Sequence, residues 1–258
     1  MEKYQQDIKA IYLASWRFML VCPLLFFIPV LVEFAQHVIE IQIGMYASAD
    51  AFKALQHDET RKLFGFIKVL STVLPGYWLV RYLGFNNSKQ AATTIEMPAF
   101  GLWLVVVAFG LPVQVLSIFS GDIAIFFGLD ESSFSQGVGI FTVGFSLLGI
   151  YLIGWSVAWT LGNVSIGWVT SIKLMHGHFI RAIVYMLAAV ALYMVIHYGL
   201  GYLAMGMPMW LVWSLLTVDS LLVGLLVLNM TGAGYFAVSR AAAEKGVELT
   251  KVATEVAS

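Results

Sequence analysis

AIVYMLAAVALYMVIHYGLGYLAM (Ala182–Met205), then Gly206–Met207–Pro208, then MWLVWSLLTVDSLLVGLLVLNMTGAGYFAVS (Met209–Ser239) is the stretch whose reading decides the fold. The two long strings hold one acidic residue, Asp219, one histidine, His197, and no lysine or arginine. A helix crossing ~30 Å of hydrocarbon needs about 20 mostly apolar residues, and each string exceeds that length. The three-residue turn between them folds one helix back against the other. The rest of the chain has the same character. Of its 258 residues, 60% are hydrophobic and 11% charged, and the mean hydropathy is +0.86. One water-soluble core could not hide that much apolar surface. A soluble enzyme and a disordered chain are therefore excluded. The net charge of −1 offers no basic field for nucleic acid. The lone Cys22 excludes an intramolecular disulfide and a multi-cysteine metal site.

Working outward, apolar runs of crossing length fall near 18–44, 64–84, 99–120, 137–162, 182–205 and 209–239. They do not alternate, which argues against a barrel, and lipid leaves helices as the remaining way to satisfy the backbone. The predicted fold is all-α: a polytopic bundle of six transmembrane helices, one membrane domain over residues 1–239, with a short cytoplasmic tail at 240–258. Met1–Ala14 carries Glu2, Lys3, Asp7 and Lys9, unlike a cleavable signal peptide. Ile8, Ile11, Tyr12, Ser15 and Trp16 recur at helical spacing, which predicts an amphipathic helix on the membrane surface.

Lysine and arginine set the expected orientation. With the N-terminus inside, ten of the fourteen fall on the inner side: Lys3, Lys9, Arg17, Arg81, Lys89, Lys173, Arg181, Arg240, Lys245 and Lys251. Lys53, Arg61, Lys62 and Lys68 fall outside and count against it. Both termini are expected in the cytoplasm. Trp16, Trp103, Trp155, Trp168, Trp210 and Trp213 lie near expected helix ends, as interfacial rings do, and Trp78 and Trp159 lie deeper. Pro23, Pro29, Pro75 and Pro112 fall within apolar runs and should bend them. Gly154, Ala158 and Gly162 form a small-residue row expected to face a neighbouring helix, and the row permits a homodimer or another membrane-protein partner.

Ionisable groups at membrane depth need a reason. Counted from the turn at Gly206–Pro208, His197 and Asp219 lie at similar depth on adjacent helices, so they are expected to form a buried polar contact. That contact would serve either as a clamp between helices or as a proton or cation relay. Glu33, His37 and Glu40 share one helical face near the outer interface. Two carboxylates and an imidazole suit a divalent metal, but no second helix of ligands is evident beyond His57, Asp58 and Glu59 in the following loop. The expectation is a solvated helix end, with no cofactor. Arg81 is expected to mark a helix end, Lys68 to snorkel to an interface, and His176 and His178 to lie in an exposed loop. No phosphate loop, GxSxG turn or HExxH motif occurs, and Cys22 reads as an inert buried thiol. Enzyme activity is not expected.

Gly167, Ser171, Leu174, Gly177, Phe179 and Arg181 follow the fourth run in a small–Ser–Leu–Gly–Phe–Arg pattern. The pattern resembles that of bacterial six-helix inner-membrane proteins of the YciC-like group and of the membrane domain attached to some glycerophosphodiester phosphodiesterases. The inner amphipathic start, long outer loop and basic inner loop are similar too. A Pro-Gly step in the fourth helix is missing. The resemblance implies a bacterial inner-membrane protein with a lipid or envelope role and transfers no functional residues. Two functions follow as expectations. One is a non-catalytic accessory or envelope protein working through helix contacts and membrane lipids. The other is a proton-coupled small-solute or ion transporter using Asp219 and His197.

Overall fold

The structure, a computed structural model, describes residues 2–56 and 58–250, with side chains from Lys3 onward. His57 and the expected tail from residue 251 onward, Lys251 included, lie outside the described residues. Eleven α-helices and no strand occur among the described residues: α1 (Glu2–Val21), α2 (Pro23–Gln42), α3 (Ala49–Ala54), α4 (Glu59–Gly84), α5 (Lys89–Thr93), α6 (Met97–Ile118), α7 (Ser120–Phe126), α8 (Glu131–Thr160), α9 (Trp168–Met175), α10 (Phe179–Ala204) and α11 (Met209–Lys245). Six of these, α2, α4, α6, α8, α10 and α11, are long and apolar enough to cross a membrane. The chain is an all-α polytopic membrane bundle.

α11 is the axis of the bundle and packs against α10, α2, α1, α4, α8 and α9. Lipid gives no hydrophobic drive for helices to associate, so close approach supplies the packing energy. Gly224 marks the tightest of the glycine contacts of α11. A Cβ there would lie 2.5 Å from Val30 Cγ2 and 2.7 Å from Phe26 Cε2, so α2 and α11 meet at this distance only through glycine. At the other end of the bundle, Ala233, Ala237 and Ala241 are fully buried in the main core with Ile11, Met175 and Tyr185.

The first apolar run is not one helix but two. Phe18–Val21 ends α1 and the chain breaks at Cys22 (φ −129°, ψ 59°) before Pro23 opens α2. Proline drives its predecessor out of helical geometry and lacks the N–H that would continue the ladder. α1 therefore packs along the bundle through Ile11, Ser15 and Phe18, while Trp16 and Leu20 face outward. Trp16 thus lies on the opposite side from Ile11 and Ser15, and Trp103 and Trp155 pack inside the protein instead of forming an interfacial belt.

A buried carboxylate ties α1 to α10 and α11. Asp7 is 2% exposed and accepts hydrogen bonds from Tyr185 and from Arg240, whose Nε lies 2.9 Å from Oδ2. Burial alone would raise the Asp7 pKa. The hydrogen bonds from Arg240 and Tyr185, with the charges of Arg240 and Lys3, outweigh burial and hold it below the usual carboxylate range. Arg240 can make this contact because α11 continues through Lys245, six residues past the expected end of the last crossing at 239, so 240–245 is helix and not tail.

The small-residue row is used within the chain. Ser171 of α9 donates to Tyr151 O (2.6 Å) and accepts from Trp155 N (2.9 Å), inserting its hydroxyl into the backbone ladder of α8. A Cβ at Gly154 would lie 2.8 Å from that hydroxyl. Ala158 is fully buried, and Gly162 lies past the end of α8 in a left-handed turn (φ +84°), off the row altogether. Gly154 and Ala158 are thus covered by this chain's own side chains and offer no free dimer face. Other residues of the fourth-run pattern also serve packing: Phe179 stacks on Tyr151 and Arg181 pairs with Glu244 at 2.7 Å. Arg81 is buried at 6% exposure, donating to Thr160 O and Glu96 Oε2, and His178 is buried beside Glu244 instead of lying in an open loop.

Candidate functional site

The site forms where α2, α4, α10 and α11 converge near the turn at 206–208. α2 brings Glu33, Gln36, His37 and Glu40 onto one face, since residues three and four apart are neighbours on a helix. All four are buried, at 1%, 6%, 4% and 3% exposure. The expected solvated overhang is therefore an inward-facing polar stripe. The opposite side of α2 exposes Leu24, Phe27 and Leu31, which are suited to lipid. The loop after α2 folds over this end of the bundle. Gly44 takes a left-handed turn (φ +79°), Met45–Ala47 form a short 3-10 turn, and Tyr46 O accepts from Gly206 N at 2.9 Å.

Asp219 is the hub. His197 Nδ1 approaches both of its oxygens, at 2.7 and 2.8 Å, and His37 Nε2 lies 3.0 Å from Oδ2. The expected Asp219–His197 contact thus exists, and His37, which no local spacing links to Asp219, joins it. His37 Nδ1 lies 2.9 Å from Glu40 Oε2. Glu40 also accepts from Arg61 Nε (2.9 Å), Gln36 Nε2 (3.1 Å) and the Tyr46 hydroxyl (2.8 Å). Burial, with Glu40 alongside, raises the Tyr46 pKa and keeps that phenol a donor. Lys68 Nζ rests 2.5 Å from Glu33 Oε2 as an ion contact rather than an aligned hydrogen bond. Lys68 therefore turns into the bundle instead of snorkelling away from it.

The hydrogen-bond pattern counts protons. His37 lies between two carboxylates, Glu40 and Asp219, which when ionised can only accept. Satisfying both contacts takes one proton more than neutral imidazoles and ionised carboxylates supply. The charges agree. Glu33, Glu40 and Asp219 contribute three negative charges, Lys68 and Arg61 two positive, and the extra proton brings the sum to zero. Removing that proton leaves one uncompensated negative charge at membrane depth, an expensive state.

This network lines a cavity of about 210 Å³. Tyr46, Phe52, Tyr198 and Tyr202 line it together with the charged groups. Glu33, Asp219 and His197 bring potential ligand atoms within 4.8 Å of one another, a spacing that suits a metal. The trio that the sequence offered only as a candidate, Glu33, His37 and Glu40, is not the group so placed, because both His37 nitrogens and both Glu40 oxygens are engaged by protein partners. Lys68 on Glu33 adds a fixed cation where a metal would have to enter. A second, larger cavity of about 590 Å³ separates α6 and α8 from α4, α10 and α11, and its lining is mostly apolar. Gln114, Asn163 and Asn229, polar residues in or beside the apolar runs, stand apart from the site. Gln114 lines the apolar cavity, Asn229 donates to Leu225 O, and Asn163 donates to Glu248 O.

Compared with protein-family models, with curated proteins and with solved structures, the chain matches none.

Proposed function

We propose that this chain is a proton-coupled transporter of a small solute or ion, with the solute bound in the cavity beside Asp219. One observation carries the reading. Asp219 is held by two imidazoles in a network that needs one proton beyond its fixed charges, and that network lines a cavity. Loss of the proton is tolerable only if positive charge arrives or the site changes shape, and either links proton movement to solute movement. The alternative, a clamp between helices, needs neither the cavity nor the extra proton.

In this reading both termini face the cytoplasm of a bacterial cell and the 206–208 end faces outside, the side that the lysine and arginine distribution favours. Arg61, Lys62 and Lys68, which counted against this orientation, are each paired with a carboxylate of this chain, Glu40, Asp122 and Glu33. A second reading, an accessory or envelope protein acting through lipids in keeping with the YciC-like resemblance, is favoured by the large apolar cavity.

Proteoliposomes with an entrapped pH dye and a panel of small amines, amino acids and inorganic cations test the first reading. Solute-dependent proton flux in the parent, lost in a well-folded Asp219→Asn variant, supports it. Folding loss in Asp219→Asn, together with no solute-dependent flux in the parent, refutes it in favour of a structural clamp.

A further inference from the structure

The charge count and the unmet hydrogen-bonding capacity of the cavity together define what it accepts. Without the extra proton the network carries one net negative charge. A monovalent cation replaces that proton without residual charge, whereas a divalent ion or an anion would leave the buried site unbalanced. Each charged group that faces the cavity among the described residues is in this count: Glu33, His37 and Glu40 from α2, Arg61 and Lys68 from α4, His197 from α10 and Asp219 from α11.

The buried polar atoms of this lining that lack a hydrogen-bond partner among the described residues, Gln36 Oε1 and Glu33 Oε2, are both acceptors. Gln36 lines the cavity, is 6% exposed, and its Oε1 has no hydrogen-bond partner among the described residues. Its Nε2 is committed to Glu40, which fixes the amide orientation and leaves the carbonyl for a ligand. Glu33 has only the ion contact with Lys68 and a 3.6 Å approach from His37. A ligand completing this site must bring hydrogen-bond donors, and a monovalent cation does so through N–H groups. The remaining wall is aromatic. Tyr46 and Phe52 have ring centroids 6.2 Å apart, and Phe52 and Tyr202 6.4 Å, forming π-faces that attract an organic cation. The volume of about 210 Å³ is below the ~300–1,000 Å³ of drug-sized pockets, so the ligand is small.

From these features we infer that the cavity binds a small primary alkylammonium ion in exchange for the network's extra proton. This inference rests on the proton-coupled reading and names its solute. The exchange balances: one ammonium enters, one proton leaves, and the site stays neutral.

The test is binding in detergent, with no flux required. Ethylammonium and butylammonium are titrated into the intact protein in weak buffer, with heat and proton release both recorded. Tetramethylammonium, Na⁺ and Mn²⁺ serve as comparison probes. The expected result is saturable alkylammonium binding with about one proton released per ion. Gln36→Leu should weaken it at least about tenfold, through loss of one hydrogen bond to a charged donor. Tetramethylammonium, which has no N–H, should bind more weakly than ethylammonium. Glu33→Gln should abolish binding, and Gln36→Leu, which leaves every charge in place, covers the case where Glu33→Gln does not fold. Binding without proton release, tighter binding of Mn²⁺, or unchanged affinity in Gln36→Leu each overturns the inference. Absence of any binding overturns it as well. Proton flux with another solute in the proteoliposomes would then leave the transport reading standing alone.

Discussion

Gly224→Ala tests the packing that holds the site together. The added Cβ would lie 2.5 Å from Val30 Cγ2 and 2.7 Å from Phe26 Cε2. Carbon atoms rest at about 3.5–4.0 Å, so roughly 1 Å of movement is needed. Phe26 meets the new methyl with the end of its ring and can turn aside. Val30 meets it with a branch on its own Cβ, which a helix holds in one rotamer. α2 must therefore shift away from α11, at an overpacking cost of about 1–3 kcal/mol. The same shift stretches the 3.0 Å contact between His37 and Asp219, since those residues lie on the same two helices one to two turns away. Thermal unfolding in detergent measures the loss. Val30→Ala alone costs some packing, but added to Gly224→Ala it removes the clashing methyl. The double variant should be more stable than the sum of the single effects by about 1 kcal/mol, within the usual coupling of neighbouring residues. Strict additivity, or a Gly224→Ala protein as stable as the parent, would refute the claim that glycine sets the distance between α2 and α11.

Asp7→Asn removes the carboxylate that joins α1 to Arg240 and Tyr185, and should destabilise the protein at pH 7 by about 2 kcal/mol, as for hydrogen bonds to a charged group. The Asp7 pKa is lowered in the folded state, so the clasp contributes above the unfolded value of ~3.9 and is lost as pH falls through the folded one. The gap in melting temperature between parent and Asp7→Asn should therefore narrow below about pH 4, and equal melting at pH 7 would dismiss the clasp. Ser171→Ala strands Trp155 N or Tyr151 O in the ladder of α8 and should cost about 1–3 kcal/mol by the same melting measurement. No change would mean that the α8 ladder closes without the hydroxyl.

Local spacing and residue counts carried a large part of this structure, and the boundary of what they carry is physical. The turn at 206–208 is three residues long, so the depths of His197 and Asp219 follow from counting along two helices with 1.5 Å per residue. Their contact was legible for that reason. His37 reaches Asp219 across 182 positions of sequence, and no count spans that distance. The contact depends on which face of α11 receives α2, and Gly224 decides that through packing alone. The crossing lengths were legible, and Pro23 signals a bend, but apolar length alone does not distinguish a bent helix from the full break at Cys22.

The polar stripe on α2 shows how a correct pattern yields a wrong environment. Glu33, His37 and Glu40 share a face in both the sequence and the structure, yet in a water-soluble helix a charged face points outward. In a membrane helix the surroundings are oil, and the economical arrangement turns that face into the bundle. The signal was available in the apolar positions Leu24, Phe27 and Leu31, which repeat on the other side and are exposed. A helix that is apolar toward one side and charged toward the other, inside a run long enough to cross the bilayer, directs its charges toward partners. Here the partners are Lys68 and Arg61 from α4 and Asp219 from α11, each of a sign or hydrogen-bonding type that its contact on α2 lacks. Such complementarity can be recognised once the helices are placed, whereas the placement comes from close-packed glycine, alanine and serine contacts that leave only a faint pattern in the sequence.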